Sequence, residues 1–201
     1  MRALYLSYKD FDSFIKMQLV VIFVISLSWA LILPIVTKLQ GLLWATSIIS
    51  GYLILHQLSV FLMPMMRNVS LKQSYKWMIW LDFIYCISVL LFFYDELIFL
   101  YTEATLMVAY GIVISVFGIN YDAFLMEKYS TESFKDIQYV ERMVMAVAGI
   151  VGYLIVIFVD VLSEDVGTSI KVFLVILMVN LGIQLYNYKY FWNDLTEQNK
   201  E

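Results

Sequence analysis

The chain has 201 residues, 62% of them hydrophobic and 15% charged, with a mean hydropathy of +0.81. A soluble domain is about 45–50% apolar and about 25% charged, so this composition excludes an ordinary soluble globular domain and points to lipid. The single cysteine, Cys86, excludes an internal disulfide framework, and two prolines leave little room for linkers.

Taken in order, the chain opens on a polar stretch, Met1 to Phe14. It is not expected to be a cleavable signal peptide, because the apolar run begins only near Ile15, is too long for such a signal and has no small-residue cleavage site after it. Crossing the hydrocarbon core takes about 20 apolar residues in a helix. Six segments qualify: roughly Ile15 to Thr37, Leu42 to Met66, Tyr75 to Tyr94, Leu97 to Leu125, Gln138 to Val161 and Ile170 to Phe191. Each run is continuous rather than alternating, which predicts helices and not barrel strands. The expected fold is therefore all-α: a polytopic membrane protein with one six-helix transmembrane domain over 1–192 and a short polar tail over 193–201. The lipid bilayer is its first partner. Nothing in the sequence suggests nucleic-acid binding or a cofactor.

The connections divide into two kinds. Thr37 to Gly41 and Tyr94-Asp95-Glu96-Leu97 are tight, whereas Arg67 to Ser74 and Glu127 to Ile137 read as longer loops on the opposite side. Of the thirteen Lys and Arg residues, only Lys38 and Lys171 fall on the side of the tight turns. This bias predicts that the long loops and both termini are cytoplasmic. Trp77 and Trp80 at the inner start of the third span, and Tyr186, Tyr188, Tyr190 and Trp192 at the inner end of the sixth, read as an interfacial aromatic belt.

Ionisable residues inside a span cost roughly 2.5–3.5 kcal/mol or more at the centre, so each needs a reason. Glu103 lies about two turns inside the outer end of the fourth span, as a proton or cation site or as a shallow hydrated carboxylate. His56, the only histidine, sits beside Gln57 in the second span, as a proton relay or a hydrogen-bond donor to a neighbouring helix. Asp82 lies about two turns inside the inner end of the third. Asp122 near the end of the fourth span, with Glu141 and Arg142 opening the fifth, suggests an ion pair or hydrogen-bond network at the cytoplasmic end. That network is either a latch or a packing clamp. One His and one Cys cannot build a zinc site, and no HExxH or CxxC is present, so no metal is expected. No Ser-His pair or paired aspartates suggest an enzyme. Gly111, Ser115 and Gly118 on the fourth span, and Ala148, Gly149 and Gly152 on the fifth, predict close helix approach and burial of both helices inside a bundle.

These features converge on a family pattern. Six helices with both termini inside, a cytoplasmic loop after the second and a tight outer hairpin between the third and fourth resemble one half of a major facilitator superfamily transporter. The stretch Asn120-Tyr121-Asp122-Ala123-Phe124-Leu125-Met126-Glu127-Lys128-Tyr129, followed by Glu141-Arg142 and the small-residue run Ala146 to Gly152, is similar to that family's hairpin of helices four and five. Pro34 and Pro64, late in the first two spans, also fit. The loop Met63-Pro64-Met65-Met66-Arg67-Asn68-Val69-Ser70-Leu71-Lys72 departs from the family's Gly-x-Leu-x-Asp-Arg-x-Gly-Arg-Arg: the glycine and aspartate are gone, and Met66 stands where the acid would be. The resemblance implies half of a twelve-helix architecture, and hence a homodimer or pairing with a second half. It also implies movement of a small solute by alternating access, with Glu103, His56 and Asp82 as proton or substrate sites and Asp122, Glu141 and Arg142 as the cytoplasmic gate. The expected location is a bacterial inner membrane. The degenerate loop and the sparse charge at mid-membrane favour, more than they favour transport, a different class: a non-transporting interaction protein such as an immunity or exclusion factor or an accessory subunit of a membrane complex.

Overall fold

The computed structural model describes residues 11–40, 50, 54, 68–162 and 165–192. Within them lie five helices: α1 Ser13–Gln40, α2 Leu71–Leu91, α3 Glu96–Lys128, α4 Thr131–Leu162 and α5 Val166–Asn187, the last running into a π-helical turn, Tyr188–Trp192. Each helix is long and apolar enough to cross a membrane. The described chain is thus an all-helical, multi-pass membrane protein. The second expected span, Leu42 to Met66, lies outside the described residues apart from Ile54 and Ser50, which are helical. His56 and the tail from Asn193 also lie outside them.

Local chemistry sets the helix ends. Ser70 caps α2, its side chain accepting from the Gln73 amide; Asp95 caps α3 through Leu97 and Ile98; Asp165 caps α5 through Gly167 and Thr168. Asp95 also closes the short connection Phe92 to Asp95, so α2 and α3 form the tight hairpin that the sequence predicts. The other expected loop is corrected. Glu127 to Ile137 is not a long loop, because α3 runs to Lys128 and α4 starts at Thr131. Ser130 accepts from the Ser133 amide, and the polar run Thr131 to Gln138 is an amphipathic helix start with Phe134 and Ile137 turned inward.

The helices pack in two groups. α2 packs along α3 and α5, and α1 packs along α4 and α5, while α3 and α4 touch little beyond their shared turn. Two apolar clusters mark the ends of the bundle. One joins Leu31, Tyr85, Phe99, Tyr110 and Phe173, and the other joins Phe14, Ile15, Tyr75, Tyr121, Leu125 and Ile137.

Burial of the fifth expected span is also corrected. α4 carries the most apolar spanning window of the five helices, yet only 11% of that window is buried. Within that window Ala148 and Gly152 are buried, and Gly152 seats against Ala30 and Leu27 of α1, with Gly149 in open space beside it. In lipid a helix gains nothing by hiding apolar side chains, so small residues mark the line of contact and not a buried helix. On α3, Gly111 and Ser115 are buried while Gly118 faces open space.

Outside the membrane-spanning segments, Asp12 fastens the start of α1 to the end of α3. It accepts from the Ile15 amide at 2.8 Å, the Tyr129 hydroxyl at 2.6 Å and Lys128 at 3.3 Å. Partial burial works to raise the Asp12 carboxyl, but the Ile15 amide, Tyr129 and Lys128 outweigh it and hold it below the usual aspartate range. A depressed folded-state pKa stabilises above the unfolded value and ceases to as pH falls through the folded one. The Asp12 contribution should therefore be whole at neutral pH and fade below about pH 4, where D12N and wild type should show converging melting temperatures.

The α1–α4 seam gives a second test. A methyl added at Gly152 would lie 2.6 Å from the Ala30 Cβ and 3.3 Å from the Leu27 carbonyl oxygen. Gly152→Ala should cost about 1–3 kcal/mol through the forced shift of α1. Gly149→Ala, with nothing within 4 Å, should be neutral or stabilising. Unfolding of both variants in mixed micelles measures the difference.

Candidate functional site

The site is built on the inward face of α2. Asp82, Tyr85 and Ser88 recur at helical spacing and are all buried. Asp82, three turns into α2 and so deeper than the two turns expected, is 1% exposed. One of its oxygens accepts from two amides of α5, Asn180 Nδ2 at 3.1 Å and Gln184 Nε2. Gln184 also donates to Asn180 Oδ1 at 3.1 Å, which locks the two amides one turn apart.

One turn further along α2, the Tyr85 hydroxyl donates to Glu103 Oε2, and the Ser88 hydroxyl reaches Glu103 Oε1 at 3.3 Å. Glu103, two turns into α3, is 0% exposed. It is no shallow group facing water. No Lys or Arg among the described residues pairs with either acid, so each carboxyl is held by neutral donors alone.

Beside Asp82 lies a cavity of about 20 Å3, lined also by Ser28 and Trp29 of α1, Tyr85 of α2, Tyr110 of α3 and Asn180 of α5; Glu103 is not on its wall and meets it only through Tyr85. A water needs roughly 10–15 Å3 of such space and two to four polar partners, so this one is sized for a single water. Edge-to-face contacts frame it, Trp29 on Tyr110 at 5.6 Å and Tyr110 on Tyr85 at 5.8 Å.

Below Asp82 the polar line continues to the α2 N-terminus. Asn187 Nδ2 donates to the Tyr75 hydroxyl at 3.0 Å, and Tyr75 stacks on Tyr188. Gln184 Oε1 and Asn187 Oδ1 are buried acceptors with no hydrogen-bond partner among the described residues.

The second group of expected residues forms a separate cluster at the α3–α4 turn. Asp122 accepts from Gln138 at 2.7 Å, and buried Glu141 accepts from the Tyr121 hydroxyl at 3.0 Å. Arg142 is exposed and within salt-bridge distance of neither acid. The partners of these acids are thus Gln138 and Tyr121, and the cluster joins α3 to α4 without an ion pair. Sequence reasoning did not single out Asn180, Gln184 and Asn187. Their signal was available: three carboxamides at spacings of four and three on one face of an otherwise apolar span.

Among the described residues, no three His, Cys, Asp or Glu side chains come together as a metal site would require. Comparison with protein-family models, curated proteins and solved structures found no match for the chain.

Glu103 offers a test of the site. Glu103→Gln keeps a polar partner for Tyr85 and Ser88 and should fold near wild-type stability. Glu103→Leu strands the Tyr85 hydroxyl in the core, while Ser88 keeps its 2.9 Å bond to the Tyr85 carbonyl, and should cost about 1–3 kcal/mol. Unfolding in mixed micelles measures both, and equal stabilities would mean that the Tyr85–Glu103 contact contributes nothing.

Proposed function

We propose that the chain is a small proton-linked membrane transporter. It moves a solute by alternating access and works as a pair of facilitator-like six-helix halves. One observation carries this reading: two buried acids have no cationic partner among the described residues, Asp82 lining a water-sized cavity and Glu103 reached from that cavity through the Tyr85 hydroxyl. Intramembrane acids are expensive to keep and mark ion or proton routes by default. A proton bound at either carboxyl removes a charge that nothing cationic offsets, so the pair is suited to taking up and giving off protons.

The Tyr85–Glu103 hydrogen bond supplies one leg of a path, and a water in the cavity beside Asp82 would supply the other. A proton leaving Asp82 passes to a water in the cavity, which gives one of its own to the Tyr85 oxygen as Tyr85 passes its hydroxyl proton to Glu103. The net change is one proton from Asp82 to Glu103, with Tyr85 and the water restored. The cavity admits one water and no solute, so solute passage requires the helices to part or a second copy to complete the route. Asp122, Glu141 and Arg142, at the α3–α4 turn, are the proposed cytoplasmic gate in this scheme.

The alternative, a non-transporting interaction protein, draws on one feature: the cavity beside Asp82 among the described residues is too small to admit a solute. Electrophysiology of the full chain in proteoliposomes, screened against amino acids, sugars, organic acids and organic cations, separates the two. Transport predicts solute-dependent proton currents in the wild type, reduced roughly 100-fold in D82N and E103Q, as loss of a positioned proton-transfer group would give. Absence of current with every solute class, or unchanged currents in both variants, overturns transport and favours the interaction role.

A further inference from the structure

Three helices bring polar side chains to a second layer, on the side of Asp82 away from Glu103. Ile25 of α1, Asp82 of α2 and Asn180 of α5 line the cavity already described. Seven residues from each, toward the end that holds the α2 N-terminus, stand Gln18, Tyr75 and Asn187. Seven residues make two turns and return a helix to nearly the same face. α5 packs along both α1 and α2. Ile15 and Leu19, which flank Gln18, share one apolar cluster with Tyr75, and Tyr188, the neighbour of Asn187, packs against that cluster. The layer is therefore common to the three helices.

Its polar atoms do not pair off. Gln18 is 2% exposed, and Gln184 and Asn187 are 0% exposed. Asn187 Nδ2 is taken by Tyr75, and Gln184 Nε2 by Asp82 and Asn180. One donor, Gln18 Nε2, and two acceptors, Gln184 Oε1 and Asn187 Oδ1, are left with no hydrogen-bond partner among the described residues. A buried polar atom without a partner bears its desolvation in full, so three at one level call for a ligand. The leftover set defines its chemistry. A cation would suit the two carbonyl oxygens but be opposed by the Gln18 amide hydrogens, and an anion would be opposed by the oxygens. A neutral group that accepts once and donates twice satisfies all three. Water does so with the roughly three hydrogen bonds usual for a buried one.

We infer that this layer holds a buried water, which accepts from Gln18 Nε2 and donates to Gln184 Oε1 and Asn187 Oδ1. Gln184 then stands between this water and Asp82, its nitrogen on the carboxylate and its oxygen on the water. Asp82 has a polar neighbourhood on both sides. One is the cavity that leads through Tyr85 to Glu103, and the other is this water, beside Asn187 and Tyr75 at the end read above as cytoplasmic. Its role as the cytoplasmic approach to Asp82 rests on the proton-linked reading above; the water site itself does not.

The test is solid-state NMR of the full chain, labelled with 15N and 13C, in phosphatidylcholine liposomes, with magnetisation transferred from water to the amide protons. Transfer should reach the side-chain amides of Gln18, Gln184 and Asn187 and miss the buried backbone amide of Val116. Q18M removes the one donor and nearly keeps the volume. It should cut the transfer to Asn187 severalfold, while Asn180, on the other cavity, keeps its own. Melting in detergent checks that Q18M is folded, and the wild-type measurement decides by itself if it is not. No transfer to the three amides in the wild type, transfer to Asn187 unchanged in folded Q18M, or a direct Gln18–Asn187 amide contact without water would overturn the water site. Solute-dependent currents that fail to appear while the transfer is intact would remove the transport reading and leave the water site standing; currents with no transfer would do the reverse.

Discussion

Asp82 sits where no cation among the described residues reaches it, and the contact between α2 and α5 is arranged to satisfy it. Two contacts fix the register of that pair. Tyr75 meets Asn187, and seven residues further along α2, Asp82 meets Asn180, seven residues back along α5. The helices are therefore antiparallel with a heptad-spaced polar match. A slip of one residue would take both pairs out of reach and strand an acid and a tyrosine in the core. In lipid, apolar side chains lose little by changing neighbours, so they specify register weakly. Buried polar groups specify it strongly, because a stranded one costs its full desolvation.

The same rule orders the rest of the bundle. Glu103 fixes α3 against α2 through Tyr85 and Ser88, and the Tyr121–Glu141 and Asp122–Gln138 contacts fix the start of α4 against the end of α3. α1, which brings Ser28 and Trp29 to the cavity, is held differently. It is pinned at its start by Asp12, and along its length it relies on packing against α5 and on the close approach to Gly152 of α4. Polar bonds thus define one body, α2–α3–α5, and small-residue packing ties α1 to α4.

Much of this was legible in the sequence for a physical reason. Unbroken apolar runs have no alternative to helix in lipid, so the spans emerge from hydropathy, and the Asp95 cap announces the α2–α3 hairpin. Glu103 and Asp82 stood out because an acid is rare at that depth. Their partners did not, since Asn180, Gln184 and Tyr85 are commonplace residues whose meaning appears only when helices face each other. The start of α4 was hidden because its first turns lie beyond the apolar run. The charged string Thr131 to Gln138 has the composition of a loop, and only the inward spacing of Phe134 and Ile137 betrays the helix. The orientation of α4 was masked by its glycines: Gly149 and Gly152 differ by less than one turn, yet one touches α1 and the other faces open space.

Any route to the cavity must cross one of the seams around it, and they are unequal. Parting α2 from α5 withdraws both amides from Asp82, and parting α2 from α3 withdraws both hydroxyls from Glu103. Each leaves a buried acid unsatisfied, at about 1–3 kcal/mol for every group stranded, and more for a charged one. The seam between α1 and α3 at the cavity is the Trp29–Tyr110 contact, an aromatic pair worth about 0.5–1.5 kcal/mol beyond its area. Lipid can replace most of what an apolar seam loses, whereas it cannot replace an amide donor. Of these three seams the α1–α3 contact costs least to part at the cavity, with α1 still packed along α5 and pinned at its start by Asp12; because Gly152 seats against Ala30, α4 would travel with α1. A displacement of that kind would bring water to Asp82 with the Asn180–Gln184 clamp still closed on it.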